Sequence, residues 1–267
     1  MTKFIVPLDG SLEAELALPH ARALAGHDPI VVMSSIWHGE PIAPRQYLDE
    51  RAATLVGPPV ETRVVLDQIP AEAIAGVASA EQPSLVCMAT HGRSTLGEVV
   101  LGSTAEALMC ATSDPVLLVG PKAAYDRNRS DAGNLVVAVD GAATAEAIVP
   151  IAATFADKHH LKLWTVQAIA PAPYPFVADA DVPSQGHVGP GIDAAVAALS
   201  RSHASTETKL LIAIDPADAI VKFAKELPAA MIVVGNHARH GLARIALGST
   251  AMRVVHRSPC PVLVVRQ

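Results

Sequence analysis

The chain is 267 residues long, 51% hydrophobic and 17% charged, with 20 Lys+Arg against 26 Asp+Glu for a net charge of −6. The apolar balance excludes a disordered chain, and no apolar run reaches the ~18 residues of a membrane-spanning helix. An acidic chain with 3% aromatics is a poor partner for a nucleic-acid backbone.

The N-terminus MTKFIVPLDGS offers one Lys and a four-residue apolar run, too little for a signal peptide, so a cytoplasmic protein with no membrane partner is expected. Strands are expected at 3–8, 30–36, 60–66, 84–89 and 115–120, short β-branched runs that are mostly apolar rather than alternating, as strands covered on both faces are. Helices are expected between them at 12–25, 45–56, 70–80 and 103–112, with starts at Ser11, at Asp67 with Pro70, and at Ser103. Residues 120–133, GPKAAYDRNRSDAG, are polar with Gly and Pro, the composition of a linker whose Lys and Arg face solvent. A second series follows: strands at 134–139, 161–168, 208–214, 230–235 and 261–265, and helices at 143–158, 192–203, 216–226 (Asp215 with Pro216 at its start) and 249–257. His159 and His160 fall at a helix end, where an imidazolium is favoured by the negative pole. Residues 170–191, with five Pro and three Gly, read as a surface loop. Cys87, Cys110 and Cys260 lie far apart without a C-x-x-C pair; this excludes a disulfide framework and a Cys-built zinc site, and all three are expected in the core.

The two series are copies. Residues 70–119 align without a gap onto 216–265, with 17 of 50 positions identical. PAEAI meets PADAI, LGSTA meets LGSTA, and PVLLV meets PVLVV. IVPLDGS (5–11) resembles VVAVDGA (136–142) at a smaller offset, so the second copy carries 15 further residues before Pro216. The expected organisation is one domain at 1–121, a linker at 122–133 and a second domain at 134–267. Strand–helix alternation predicts a doubly wound, mostly parallel α/β sheet of five strands in each. Ligands of such sheets bind beyond the carboxyl ends of the strands.

Candidate residues sit at those ends. After strand one come Pro7, Asp9, Gly10 and Ser11, paired with Asp140, Gly141 and Ala142. After strand four come Met88, Ala89, Thr90, His91, Gly92 and Arg93, then eight residues, then Gly102, Ser103 and Thr104. Their counterparts are Val234, Gly235, Asn236, His237, Ala238 and Arg239, then Gly248, Ser249 and Thr250. Gly-Ser-Thr at a helix start leaves unpaired N–H groups at the positive end of the dipole, a cradle for phosphate. The strand-one Asp is then placed for a ribose or base.

The Gly-x2-Gly-x9-Gly-Ser spacing, followed by a helix and a Pro-Val-Leu strand, resembles the universal stress proteins in tandem form. The resemblance implies five parallel strands per copy in an adenine-nucleotide alpha-hydrolase-like fold, and ATP with Mg²⁺ in the branch that keeps the glycines. By match, Asp9 and Asp140 would serve the adenosine end, together with the end of strand two. Gly92, Gly102, Ser103, Gly235, Gly248 and Ser249 would serve the phosphates. It further implies pairing of last strands, here 115–120 with 261–265 as an intramolecular pseudo-dimer, and a homodimer of whole chains as a further step. Both copies depart from the pattern: Ala89 replaces the first Gly in copy one and Ala238 the second in copy two. Copy two offers Arg239, His240 and Arg244 against Arg93 and Glu98 in copy one. The nucleotide is expected in one copy or both, with copy one slightly favoured.

Other roles stay open. Asp9 and Asp140 suit helix caps, the glycine loops suit tight turns, and Ser103 and Ser249 suit N-caps. His91 and His237 align, yet no nucleophile–base pair is identifiable, so no catalytic residue and no metal site are assigned, and slow ATP hydrolysis is the most activity expected. A stress-response module binding ATP and answering to an unidentified protein partner is the expected function. The alternative is a scaffold for protein–protein interaction whose nucleotide sites have decayed.

Overall fold

A computed structural model describes residues 2–36, 42–91, 101–112, 114–169, 193, 194, 197, 206–236 and 247–266. In the first half, β1 (Lys3–Pro7), β2 (Ile30–Ile36), β3 (Val60–Leu66), β4 (Ser84–Ala89) and β5 (Val116–Val119) alternate with α1 (Leu12–Glu15), α2 (Ala17–Ala25), α3 (Ile42–Ala52), α4 (Pro70–Ala80) and α5 (Ser103–Ala111). A short α6 (Arg127–Asp131) leads into the second half. There β6 (Asn134–Val139), α7 (Ala142–His159), β7 (Lys162–Ile169), β8 (Thr206–Ile212), α8 (Pro216–Glu226), β9 (Ala229–Asn236), α9 (Ser249–Arg257) and β10 (Val262–Arg266) follow. All ten expected strands form. Of the helix expected at 192–203, residues 193, 194 and 197 are helical; the rest, like the segment 170–191, lies outside the described residues.

The strands make one ten-stranded sheet in the order β3-β2-β1-β4-β5-β10-β9-β6-β7-β8. Pairing is parallel within each half, and β5 and β10 pair antiparallel through Leu118–Val262, Leu117–Leu263 and Val116–Val264. The expected intramolecular pairing of the last strands is therefore formed. It covers an edge of each half, and it points the two carboxyl edges in opposite directions. At this seam Gly120 lies against the Val255 carbonyl, leaving no room for a Cβ, and the Arg266 guanidinium donates to the Thr112 carbonyl at 3.3 Å. Among the described residues, the two free edges are β3 and β8, both partly exposed and carrying Glu61, Arg63, Glu207 and Lys209, charges that discourage further pairing.

Alternate residues of each buried strand feed opposite cores. Phe4, Val6, Val137 and Val139 pack with the alanines of α2 and α7 on one face. Ile5, Met33, Val136 and Val234 pack with α4, α5, α8 and α9 on the other. Each core runs continuously through both halves, so the halves share their apolar burial. Lys158 at the end of α7 also pairs with Asp28 of the first half.

Several local expectations are corrected. The helix expected at 12–25 is broken at Leu16, which caps α1 and opens α2. Ser11 does cap, accepting from the Ala14 N–H at 3.2 Å, and Asp215 caps α8 through the Ala217 N–H at 3.0 Å. At α4 the cap position is Ile69 without a side-chain bond, and Asp67 instead bends the chain at φ 55°. The linker is not merely a solvated face. Arg129 donates to the carbonyls of Ala224 and Ala229 at 3.0 and 3.4 Å, while buried Ala123 offers its carbonyl to His20 Nε2 at 2.8 Å. Cys87 and Cys260 are buried as expected, but Cys110 is exposed on α5. His159 is held neutral: burial drops its pKa to about 4, against the pull of the helix dipole.

Candidate functional site

The carboxyl edge of the first half opens into a cleft of about 370 Å³, within the range of small-molecule sites. Its parts come from three strand ends and two helix starts. Pro7, Leu8 and Asp9 enter from β1, Met33 and Ser35 from β2, and Met88 to His91 from β4. Pro70 and Ile74 of α4 form one side, and Gly102 to Ala105 the other. Leu8 is fixed by its N–H to the Met33 carbonyl at 2.8 Å, which holds the ends of β1 and β2 together.

Asp9 is locked by its own turn. Its Oδ1 accepts from the Ser11 N–H at 3.0 Å and the Ser11 hydroxyl at 2.5 Å. Gly10 makes that turn possible: it sits at φ 86°, a left-handed conformation that side chains disfavour. Gly10 is exposed and does not line the cleft. Near Asp9, Glu15 accepts from the Tyr47 hydroxyl at 2.9 Å and from Arg51 at 3.2 Å. Burial, then that bond, pushes the Tyr47 phenol above its ordinary range.

The other wall is a helix start. Gly102 N–H donates to the Thr90 carbonyl at 2.8 Å, and a Cβ at Gly102 would stand 2.6 Å from that oxygen. Glycine is required here by close approach. Gly102 is itself the N-cap and supplies no side-chain bond, so Ser103 is the first helical residue rather than the expected cap. The N–H groups of Ser103, Thr104 and Ala105 therefore lack intrahelical partners where they border the cleft. Met33, Ile74 and Met88 make part of the lining apolar, so the cleft combines a donor-rich helix start, a carboxylate and an apolar wall. Those features suit a ligand with an anionic head and a ring.

The second half repeats the elements but not the geometry. Asp140 Oδ1 accepts from the Thr144 hydroxyl on α7, whereas the N-cap of that helix is Gly141, with no side-chain cap bond. Gly141 is extended, with φ −177°, and needs no glycine. Ser249 and Thr250 open α9 after the N-cap Gly248, again with no side-chain cap, so Ser249 too is corrected from cap to first helical residue. A Cβ at Gly248 meets nothing within 4 Å among the described residues. Val234 is buried, Gly235 half-buried, and Asn236 fully buried, with neither side-chain polar atom bonded among the described residues. Ion pairs tie α9 to α8: Arg253 to Asp215 at 2.8 Å, and Arg257 to Asp215 and Asp218. Alanines stand at 107 and 111, where the first copy aligns with these arginines.

The structure thus brings together Pro7, Asp9, Met88, Ala89, Gly102, Ser103 and Thr104 in one cleft. Gly92, Arg93 and Arg239, with His237, Ala238, His240, Arg244 and Glu98, lie outside the described residues. Sequence reasoning passed over Leu8, Ala14, Met33, Ser35, Pro70 and Ile74 as site residues. The PAEAI–PADAI match was a signal for the last two, since it marks a helix start at the same edge.

Comparison with known proteins gives a consistent picture. The profile of the Universal stress protein family matches residues 1–120 and 132–266. Universal stress protein Rv2005c of Mycobacterium tuberculosis is 25% identical over 188 residues, covering 70% of this chain and 63% of its own. Universal stress protein MJ0531 of Methanocaldococcus jannaschii is 50% identical over 52 residues, covering 20% of this chain and 31% of its own. The chain thus spans less than two thirds of either relative. A universal stress protein from Archaeoglobus fulgidus superposes with TM-score 0.65 at 18% identity, covering 99% of this chain and 98% of that one. Among the described residues, no helix is long and apolar enough to cross a membrane.

Proposed function

The chain belongs to the universal stress protein family, and from that premise we propose that it is an ATP-binding regulatory module whose nucleotide, with Mg²⁺, occupies the first-half cleft. The observation that carries this reading is the uncapped start of α5, pressed by Gly102 against the Thr90 carbonyl and opening onto a 370 Å³ cleft that also holds Asp9. The backbone N–H groups of Ser103 and Thr104 would receive phosphate oxygens at the positive end of the helix dipole. Asp9, held rigid by Ser11, would accept from ribose hydroxyls, and Met33, Ile74 and Met88 would pack on the base. Mg²⁺ commonly bridges phosphates with few protein ligands, which suits a cleft whose acidic side chain is Asp9.

The role proposed is binding rather than turnover. Loading the cleft would change the carboxyl edge presented to a protein partner, and a second copy of the chain is one such partner. A decayed scaffold is favoured by one observation: Ala89 puts a methyl into the cleft wall where the family spacing has glycine. Equilibrium dialysis with ATP and Mg²⁺ separates the two. The nucleotide reading expects one nucleotide held per chain and a loss of about tenfold in Asp9→Ala, as when a charged hydrogen-bond acceptor is removed. No binding by the unaltered chain would overturn it in favour of the scaffold.

A further inference from the structure

A residue of the first-half cleft lining touches the second half. His91, at its phosphate end, meets His256 of α9 edge to face, with ring centroids 6.0 Å apart and planes at 67°. The other side of the His91 ring is fixed by a hydrogen bond between Nδ1 and the Thr90 hydroxyl at 2.9 Å. Thr90 is the residue whose carbonyl seats Gly102.

The topology explains the encounter. Because β5 and β10 run antiparallel, each half's last helix starts at its own carboxyl edge and ends near the edge of the other half. α9 is nine residues long, about 13 Å at 1.5 Å per residue. It opens on Gly248 and Ser249 in the second cradle and delivers His256 to the first.

Resting on the nucleotide reading above, we propose that His256 is a positioning residue for the first-half cleft: supplied by the second half, it holds the His91 ring beside the phosphates. The pair also has an electrostatic consequence. His256 faces His91 from the loop after β4, Lys122 from the segment after β5, and its neighbour Arg257 on α9. Its pKa lies below the ordinary value, first through burial and then through these cations. A phosphate group beside His91 adds negative charge and favours the protonated form of His256. Binding therefore tightens as pH falls through the histidine range.

Calorimetric titration of the full-length chain with ATP and Mg²⁺ at about pH 6 and about pH 8 tests this. His256→Ala is expected to weaken binding about three- to tenfold, the factor an aromatic edge-to-face pair is worth. His256→Phe, which keeps the ring contact and removes the titration, is expected to recover most of that loss while showing a smaller pH effect than the unaltered chain. Cys110→Ser, at the aligned position of the first copy, is expected to bind as the unaltered chain does. The proposal is overturned if His256→Ala binds like the unaltered chain, or if His256→Phe keeps the full pH effect. Absence of binding by the unaltered chain is a different failure: it removes the nucleotide reading, and this proposal with it. Should His256→Ala fail to fold by circular dichroism, the comparison of His256→Phe with the unaltered chain still decides.

Discussion

Replacing Gly102 by alanine probes the feature on which the cleft depends. The added Cβ would stand 2.6 Å from the Thr90 carbonyl oxygen, about 0.8 Å inside ordinary van der Waals contact. Neither partner is a flexible side-chain tip, so the start of α5 must lift away and strain the Gly102 N–H bond to Thr90. Overpacking of this kind costs about 1–3 kcal/mol. At about 2–4 °C per kcal/mol in a chain of this order of size, Gly102→Ala should melt about 2–12 °C lower. The same substitution at Gly248 provides the internal control: it is also an N-cap, and its Cβ meets nothing within 4 Å among the described residues. Gly248→Ala therefore pays only the few tenths of a kcal/mol to ~1 kcal/mol by which alanine is a poorer cap. Thermal unfolding followed by circular dichroism compares them, and dialysis adds affinity, expected to fall about tenfold for Gly102→Ala because the N–H donors move. Equal melting temperatures for the two variants would refute the close-approach argument.

Two further outcomes follow from burial. His159 is stacked on Phe155 at 4.2 Å, with Nε2 unbonded among the described residues and a pKa lowered to about 4 by burial, then by Lys158. The unfolded chain takes up this proton near 6.5 and the folded chain does not. Stability should therefore fall as pH drops from 6.5 toward 4, by about 1–2 kcal/mol once solvent screening is allowed for. Urea unfolding of His159→Phe should show a flatter pH profile, with a residual slope of the same sign from His20, whose pKa burial also lowers; an unchanged profile would count against the assignment. Of the three thiols, exposed Cys110 should react with a thiol reagent in the native state. Cys87 and Cys260, pushed up to about 12 and about 11 by burial, should react only on unfolding. Prompt modification of more than one thiol would contradict that order.

How much of this was legible in the sequence varies with the physics of each feature. The inner strands could be read because a strand buried on both faces must be apolar, as FIV and LVVAV are in β1 and β6, whereas the edge strands β3 and β8, charged and partly exposed, showed only as short runs between helical stretches. The seam between β5 and β10 was legible only through the resemblance, since nothing in PVLLV and PVLVV marks them as partners. The cleft was half legible. Gly-Ser-Thr announced a helix start, but that Gly102 rather than Ser103 is the cap follows from a backbone approach to Thr90 that spacing does not encode. Arg129 is one of several basic residues in a polar segment, and its two carbonyl partners lie some hundred residues away. His91 and His256 meet only because the antiparallel seam reverses one half against the other. The two copies, so alike in LGSTA, differ where the aligned residues differ: Arg253 and Arg257 pin α9 to α8, whereas alanines occupy those places on α5.

The most direct test of the central claim is a crystal structure of the full chain grown with ATP and Mg²⁺. The account predicts nucleotide density in the first-half cleft, with phosphate oxygens on the N–H groups of Ser103 and Thr104 and ribose beside Asp9. A nucleotide seated only at Gly248 and Ser249, or a first-half cleft filled by the protein's own side chains, would contradict it.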